Sequence, residues 1–224
     1  MRSRPFLSAH LGRCNGGVHR PEKTIVHKTA ETMQILDTAA DGEDIWQQMV
    51  HLYQQPGVAD HCLHCQDRFR LSITAMLSLI LLAAAGRGAI RPPAAADIAD
   101  ESERWQAEVL RPLRQARNAL KARLQTGAAS DLTDLRHGLL ARELDAERIE
   151  QRLILAKALA PGAMVPASDP LADAASALAR YLLALPCSPD IESRQRLGLI
   201  LSAALPDYDG LDIVQALDLA LRIG

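Results

Sequence analysis

Apolar residues recur three and four positions apart along most of the chain, whereas no segment alternates apolar and polar residues over the length of a strand. The first predicted helix begins behind Asp41 or Glu43 and ends at Gln55-Pro56-Gly57, since proline cannot continue the helical hydrogen-bond ladder. Its apolar face consists of Ile45, Trp46, Met49, Val50, Leu52 and Tyr53. The pattern predicts an all-α fold, a compact bundle of about eight or nine helices.

Capping residues, prolines and glycines divide the rest of the pattern into further helices. The predicted segments are 58–69, a very apolar helix over 73–85 capped by Ser72, and then 94–124, 131–159, 171–185, 190–205 and 211–223. Pro112 is expected to kink the 94–124 helix one turn upstream. Asp169 and Ser188 each precede a proline, and we predict that both cap the helices that follow.

The charge distribution suggests three regions. Residues 1–32 carry six basic and two acidic side chains, which predicts a flexible basic N-terminal extension, with Met33 as an alternative start to Met1. Residues 33–160 are expected to form a helical domain. Residues 161–224 form a C-terminal three-helix unit, and the sequence leaves open whether this unit packs into the same domain.

The composition disfavours nucleic-acid-binding and membrane proteins. The chain has 224 residues, 48% hydrophobic and 23% charged, with a net charge of −2, which disfavours general electrostatic binding to nucleic acid or membranes. Aromatic residues make up only 3%, too few for base-stacking platforms. The apolar run 73–85 is shorter than the roughly 20 residues of a membrane span. The N-terminal stretch lacks a secretory signal pattern, so we do not expect it to direct secretion.

The densest charged feature is basic. Arg111, Arg114, Arg117 and Lys121 recur at helical spacing without an intervening acid, which predicts a surface for an anion or a protein partner. The alternative is a solvated face that pairs with the acidic C-terminal half of the chain, from Ala160 onward. No aromatic residue lies between these four positions, so a protein partner is favoured over nucleic acid.

The segment His61-Cys62-Leu63-His64-Cys65 could indicate zinc or redox chemistry. On a helix, however, these side chains converge only partly, and a structural zinc site needs a second ligand pair. The other candidate ligands, His51, His137 and Cys187, are scattered. The alternative is that both cysteines are small core residues with the histidines nearer the surface. We therefore assign no metal and no cofactor.

Acidic pairs provide the one enzymatic alternative. Helical prenyl-transferring enzymes bind magnesium diphosphate with aspartates at comparable spacings. The candidates here are Asp97, Asp100 and Glu101, then Asp131 and Asp134, then Asp169 and Asp173. Several of them fall in the first turn of a predicted helix, where acids complement the helix dipole. The alternative function is thus a small magnesium-dependent enzyme acting on an isoprenoid or other diphosphate.

Several short segments form a recognisable pattern. They are Asp44-Ile45-Trp46, Leu52-Tyr53-Gln54-Gln55-Pro56-Gly57-Val58, Cys62-Leu63, Gln66-Asp67-Arg68, Trp105 and Arg111-Pro112-Leu113-Arg114. In them the chain resembles a proteobacterial family of uncharacterised helical proteins, chiefly over 44–121. Cys65, where the family has an aliphatic residue, and Ser72-Ile73-Thr74 depart from its pattern. The resemblance implies a bacterial cytoplasmic protein and supplies no catalytic residues.

No nucleotide-binding loop, nucleophile elbow or metalloprotease motif occurs in the sequence. Together with the number of helices and the basic run, this favours a non-enzymatic protein-interaction, adaptor or regulatory module. We predict no catalytic residues, and the sequence does not fix the oligomeric state.

Overall fold

Helices make up most of the computed structural model, which describes residues 30–124, 130–186 and 188–223. The nine α-helices within these ranges are α1 (Ala30–Gln54), α2 (Val58–Phe69), α3 (Ile73–Leu82), α4 (Pro92–Trp105), α5 (Arg111–Leu124), α6 (Ser130–Ala158), α7 (Pro170–Leu183), α8 (Ile191–Ala204) and α9 (Gly210–Ile223). Two π-helical segments, Ala83–Arg87 and Gln106–Leu110, follow α3 and α4. The all-α prediction is confirmed.

The structure confirms the predicted C-terminal end of the first helix but not its predicted start. α1 ends at Gln54, and Gly57 in the following turn has a φ of 83°, as the Pro-Gly pair predicts. Its predicted start behind Asp41 or Glu43 is wrong, because the helix already begins at Ala30. Residues 30–41 are rich in strong helix formers, a signal that a search for one apolar face misses. The predicted extension 1–32 lies outside the described residues except for its last three positions.

The centre of the fold is α3. Each of its residues is buried, and α1, α6 and α7 pack around it. The hydroxyl of Ser72 accepts a hydrogen bond from the Ala75 amide at 3.1 Å, which confirms the predicted cap. In the described part of the chain, no helix has by itself both the length and the apolar content to cross a membrane; only the bent pair Val58–Phe69 and Ile73–Arg87 reaches both together.

Pro112 marks an irregularity where the sequence predicts one. The backbone upstream of it forms the π-helical segment Gln106–Leu110, in which the Arg111 amide donates to the Gln106 carbonyl. A proline ring crowds the carbonyl four residues earlier, here that of Glu108, and the wider π turn relieves this crowding. The segment also changes the rotational register between α4 and α5.

The C-terminal helices pack directly on the earlier ones, α7 against α3 and α8 against α2, while α9 contacts α7 and α8. Asp169 caps α7 by accepting from the Ala172 amide at 2.9 Å, as predicted. The predicted cap at Ser188 is wrong: α8 begins at Ile191, and Asp190 accepts from the Ser193 amide instead. One cluster of buried apolar side chains includes residues from both sides of position 160.

Two connecting segments, before α4 and before α7, pair with each other. Ile90 and Met164 form an antiparallel bridge, and the Val165 amide donates to the Ala89 carbonyl at 2.7 Å. Gly88 enters this pairing with a φ of 82°, and a Cβ there would lie 1.9 Å from the Val165 carbonyl oxygen. Glycine is therefore required at this close approach of two backbones.

Candidate functional site

Two of the four predicted basic residues lie in the interface between α5 and α6. Arg117 Nε donates to Glu143 Oε1 at 2.6 Å, and Arg114 Nη2 donates to Glu147 Oε1 at 3.0 Å. The Arg117 side chain is only 8% exposed. Both arginines therefore point at carboxylates of the neighbouring helix and not at solvent.

The other two basic residues remain nearer the surface. Arg111 Nη2 donates to Glu103 Oε1 at 2.8 Å, and Lys121 is exposed. An anion or partner surface at Arg111, Arg114, Arg117 and Lys121 stays a prediction, and in the structure Arg114 and Arg117 face α6 and not solvent. The physical reason is the favourable pairing of guanidinium groups with acids that α6 places against α5.

The acids of this interface come from one face of α6. Glu143, Glu147 and Glu150 stand at positions i, i+4 and i+7, so a helix directs all three the same way. No motif marks these three acids, but their spacing opposite a basic helix is a signal in the sequence that indicates such an interface. All three acids are buried, as is Arg117, and Arg114 is half-buried.

The π-helical segment supplies a hydrogen-bond partner for Glu150. Gln106 Nε2 donates to both carboxylate oxygens of Glu150, at 3.2 and 3.1 Å, while Gln106 Oε1 accepts from Arg114 Nη1 at 3.0 Å. Burial raises the pKa of Glu150 to about 7, and the hydrogen bonds of Ser72 and Gln106 oppose this shift. Burial likewise raises the pKa of Glu147, against the attraction of Arg114. We call these side chains, Arg114, Arg117, Glu143, Glu147 and Glu150 with Gln106, the Arg–Glu cluster.

A cavity of about 200 Å³ lies on the other side of Ser72. Ser72, Ser102 and Tyr181 are among its lining residues, and the Ser72 amide donates to the Tyr181 hydroxyl at 3.1 Å. Arg70, which also lines it, is the one non-glycine residue of the described chain with a positive φ, 57°. Residues from α2, from the α2–α3 connection, from α4 and from α7 thus converge on a cavity of mixed polar and apolar lining that the sequence pattern does not reveal.

The two cysteines of the His-Cys segment are buried free thiols. Burial raises the pKa of Cys65 to about 12 and raises that of Cys62 further. The histidines face α8: His64 Nε2 lies 3.3 Å from Ser193 Oγ, and burial followed by the nearby Arg196 lowers the pKa of His61. The cysteines thus take the places of small apolar residues, as the alternative interpretation states. The third scattered candidate, Cys187, lies outside the described residues.

The predicted acidic pairs do not come together. Asp169 caps α7, and Asp173 accepts from the amide and the hydroxyl of Ser168, both at 2.8 Å. Asp97 and Asp100 are exposed on α4. Within the ranges that the structure describes, no three His, Cys, Asp or Glu side chains are placed to hold a metal ion.

Exposed apolar side chains concentrate on the last two helices. Most of the large apolar residues that are exposed in the described chain lie on α8 or α9: Ile191, Leu199, Leu211, Val214, Leu219 and Ile223. On α9, Ile213 and Leu217 are buried against the rest of the fold. We call Leu211, Leu219 and Ile223, with the polar Asp212, Gln215 and Arg222 between them, the α9 face.

Two grooves flank α9. The first, of about 240 Å³, lies between α8 and α9 and is lined by residues that include Ile191 and Val214. The second, of about 300 Å³, lies towards α7 and is lined by residues that include Ala172, Leu219 and Ile223. The α9 face therefore stands as an apolar ridge beside a depression on each side.

One part of the chain matches a known protein family. Residues 44–154 match the family described as "Protein of unknown function (DUF2390)". The matched residues make up just under half of the chain. The match confirms the resemblance to an uncharacterised family, and no curated protein and no solved structure matches the chain. The DUF2390 region contains the Arg–Glu cluster and ends within α6, so the α9 face lies outside it.

Proposed function

We propose that the protein is a non-enzymatic protein-interaction module, an adaptor or regulator, that binds a protein partner through the α9 face. The observation that carries this proposal is the exposure of Leu211, Leu219 and Ile223, which are 64%, 58% and 75% exposed. Large apolar side chains that are exposed together on one helix face mark interaction sites, because their burial by a partner removes apolar surface from water.

The way α9 is held supports this role. Ile213 and Leu217 pack one side of α9 against the fold. The helix is therefore already ordered, and a partner that binds its opposite side does not have to offset the entropy of ordering it. The grooves on either side can receive side chains of a partner. This is the geometry in which an apolar helix face is recognised by packing into grooves.

The chemistry of the interior agrees with a non-enzymatic role. Glu143 and Glu147, which could otherwise serve as acid or base, are buried and bound to arginines. The enzymatic alternative needs acids that converge on magnesium, and Asp169 and Asp173 are engaged in capping their own helix. A cytoplasmic bacterial location, expected from the sequence, is part of this proposal.

The test compares two lysine substitutions at similarly exposed leucines. Leu219→Lys alters the α9 face, and Leu135→Lys on α6 is the matched control. We expect Leu219→Lys to weaken binding to a purified partner by at least about tenfold, because a charge replaces a buried apolar contact. Leu135→Lys is expected to bind as the wild type does. Both variants should keep the wild-type circular dichroism spectrum.

A candidate protein captured from cells counts only when, once purified, it binds directly and discriminates between the two variants. If Leu219→Lys leaves every interaction of the wild type unchanged, self-association included, the proposed function is wrong.

A further inference from the structure

We infer that the partner of the α9 face is a second copy of this chain, with the two α9 helices antiparallel about a two-fold axis. This inference rests on the proposed function, because it names the occupant of the same face. It is carried by the order of exposed residues along α9 and by their charges.

The exposed positions of the α9 face are symmetric about Leu217. Leu211 and Ile223 lie six residues to either side of it, and Asp212 and Arg222 lie five residues to either side. In an antiparallel pair whose two-fold axis passes at the level of Leu217, each of these residues stands at the same height as the other member of its pair on the second helix. The remaining exposed polar residue, Gln215, is matched with Leu219 in the same way.

This register places opposite charges together. Asp212 of one copy and Arg222 of the other stand at one height, and the symmetry produces the contact twice. Within one copy the two residues are ten positions apart, about 15 Å along the helix, too far to pair with each other. Neither forms an ion pair with another residue of the described chain. A parallel arrangement would instead bring Asp212 level with Asp212, so the charges favour the antiparallel one.

The apolar residues fit the same register. Leu211 of one copy stands level with Ile223 of the other, and these are the two most exposed apolar residues of α9. Ile223 borders the groove of about 300 Å³ towards α7, which offers space for the incoming leucine. Antiparallel helices also align their dipoles favourably.

The size of the contact sets the expected strength. α9 has 14 residues and is about 21 Å long, so a single pair of such helices buries less than the roughly 800 Å² per partner of a standard interface. We therefore expect a dimer with a dissociation constant in the micromolar range.

The experiment is a charge exchange followed by sedimentation equilibrium of the full chain, at concentrations from about 1 to about 200 µM. Asp212→Arg alone and Arg222→Asp alone each place like charges at the contact, and each should weaken dimerisation about tenfold. The double variant restores opposite charges in both contacts. We expect its dissociation constant to lie within about threefold of the wild-type value.

A wild-type protein that remains monomeric over this range overturns the inference. So does a folded double variant that associates no better than the single ones. If either result is accompanied by a different purified partner that Leu219→Lys no longer binds, the proposed function stands and only the second copy is wrong. If Leu219→Lys changes no interaction at all, both proposals are wrong.

Discussion

Arg117 and Glu143 form a buried ion pair across the α5–α6 interface, with 2.6 Å between Nε and Oε1 and almost no exposure of either side chain. Two charges taken out of water are tolerated there because each has a partner of opposite sign in hydrogen-bonding distance. In the sequence, Arg117 belongs to a basic run that resembles a solvated surface. Its pairing with Glu143 instead places it in the interior.

Removing one member of this pair should destabilise the fold strongly. Arg117→Ala leaves the Glu143 carboxylate buried without its cation, and we expect the free energy of unfolding to fall by about 3–5 kcal/mol. Urea denaturation followed by circular dichroism measures this change. The double variant Arg117→Met, Glu143→Leu is expected to recover most of the loss, because it removes both charges and keeps apolar volume.

The control for that experiment is Arg142→Ala. Arg142 pairs with Asp145 at 2.7 Å, but both side chains are more than half exposed, so the change should cost less than about 1 kcal/mol. Equal losses from Arg117→Ala and Arg142→Ala would contradict the assignment of a buried pair.

Glu150 should make stability depend on pH in an unusual direction. Burial raises its pKa from 4.5 to about 7, so between these values the folded protein holds a proton that the unfolded chain has released. The free energy of unfolding therefore decreases as pH rises through this window, by up to roughly 3 kcal/mol from this residue. Glu147, whose pKa burial also raises, contributes in the same direction.

Glu150→Gln tests whether Glu150 causes this pH dependence, since glutamine resembles the protonated acid. The variant should match the wild type near pH 4.5 and exceed its unfolding free energy at pH 8, with a smaller slope between. Glu108→Gln, at an exposed position, should retain the wild-type slope. Thermal or urea unfolding at several pH values provides the comparison, and an unchanged slope in Glu150→Gln would contradict the assignment.

Gly88 should tolerate no side chain. A Cβ at this position would lie 1.9 Å from the Val165 carbonyl oxygen, so Gly88→Ala must separate the paired segments before α4 and α7. We expect a loss of at least about 3 kcal/mol, or no folded protein. Gly86 has a similar φ of 77° with no neighbouring atom in reach, so Gly86→Ala should cost only about 1–2 kcal/mol. Denaturation of the two variants side by side separates the clash from the backbone preference.

Cys62 and Cys65 should be inert in the native protein. The thiolate is the reactive form, and burial holds the pKa of both thiols far above neutrality. Iodoacetamide at pH 8 should therefore leave the peptide that contains both residues unmodified, while the same treatment in urea alkylates it, as read by mass spectrometry. Rapid alkylation of that peptide in the folded protein would contradict their burial.

Local signals explain most of the fold that could be predicted. Ser72 and Asp169 cap their helices because a side-chain oxygen satisfies a free amide of the first turn, a relation that three neighbouring residues define. Pro112 causes the irregularity upstream of it for a similarly local reason. At Ser188 the same reasoning chose the wrong residue, since Asp190 carries an equivalent oxygen two positions later.

The candidate site was harder to predict, because it depends on contacts between distant segments. Arg114 and Arg117 have the spacing of a surface stripe, and only the position of Glu143 and Glu147 on the neighbouring helix shows where they point. The cavity beside Ser72 likewise joins residues more than one hundred positions apart. The exposed ridge of α9 contains the same residue types as its buried side.

By itself, the sequence determined that this protein is helical, where most helices end, and that its central helix is surrounded by other elements. Those properties follow from periodicity, capping and proline, which act within a few residues. Tertiary structure alone decided which charges are buried, which apolar face remains open and which loops meet. These properties depend on how the helices pack, because burial is set by neighbours in space. Spacing along the chain shows which side chains share a helix face, but not which other element packs against that face.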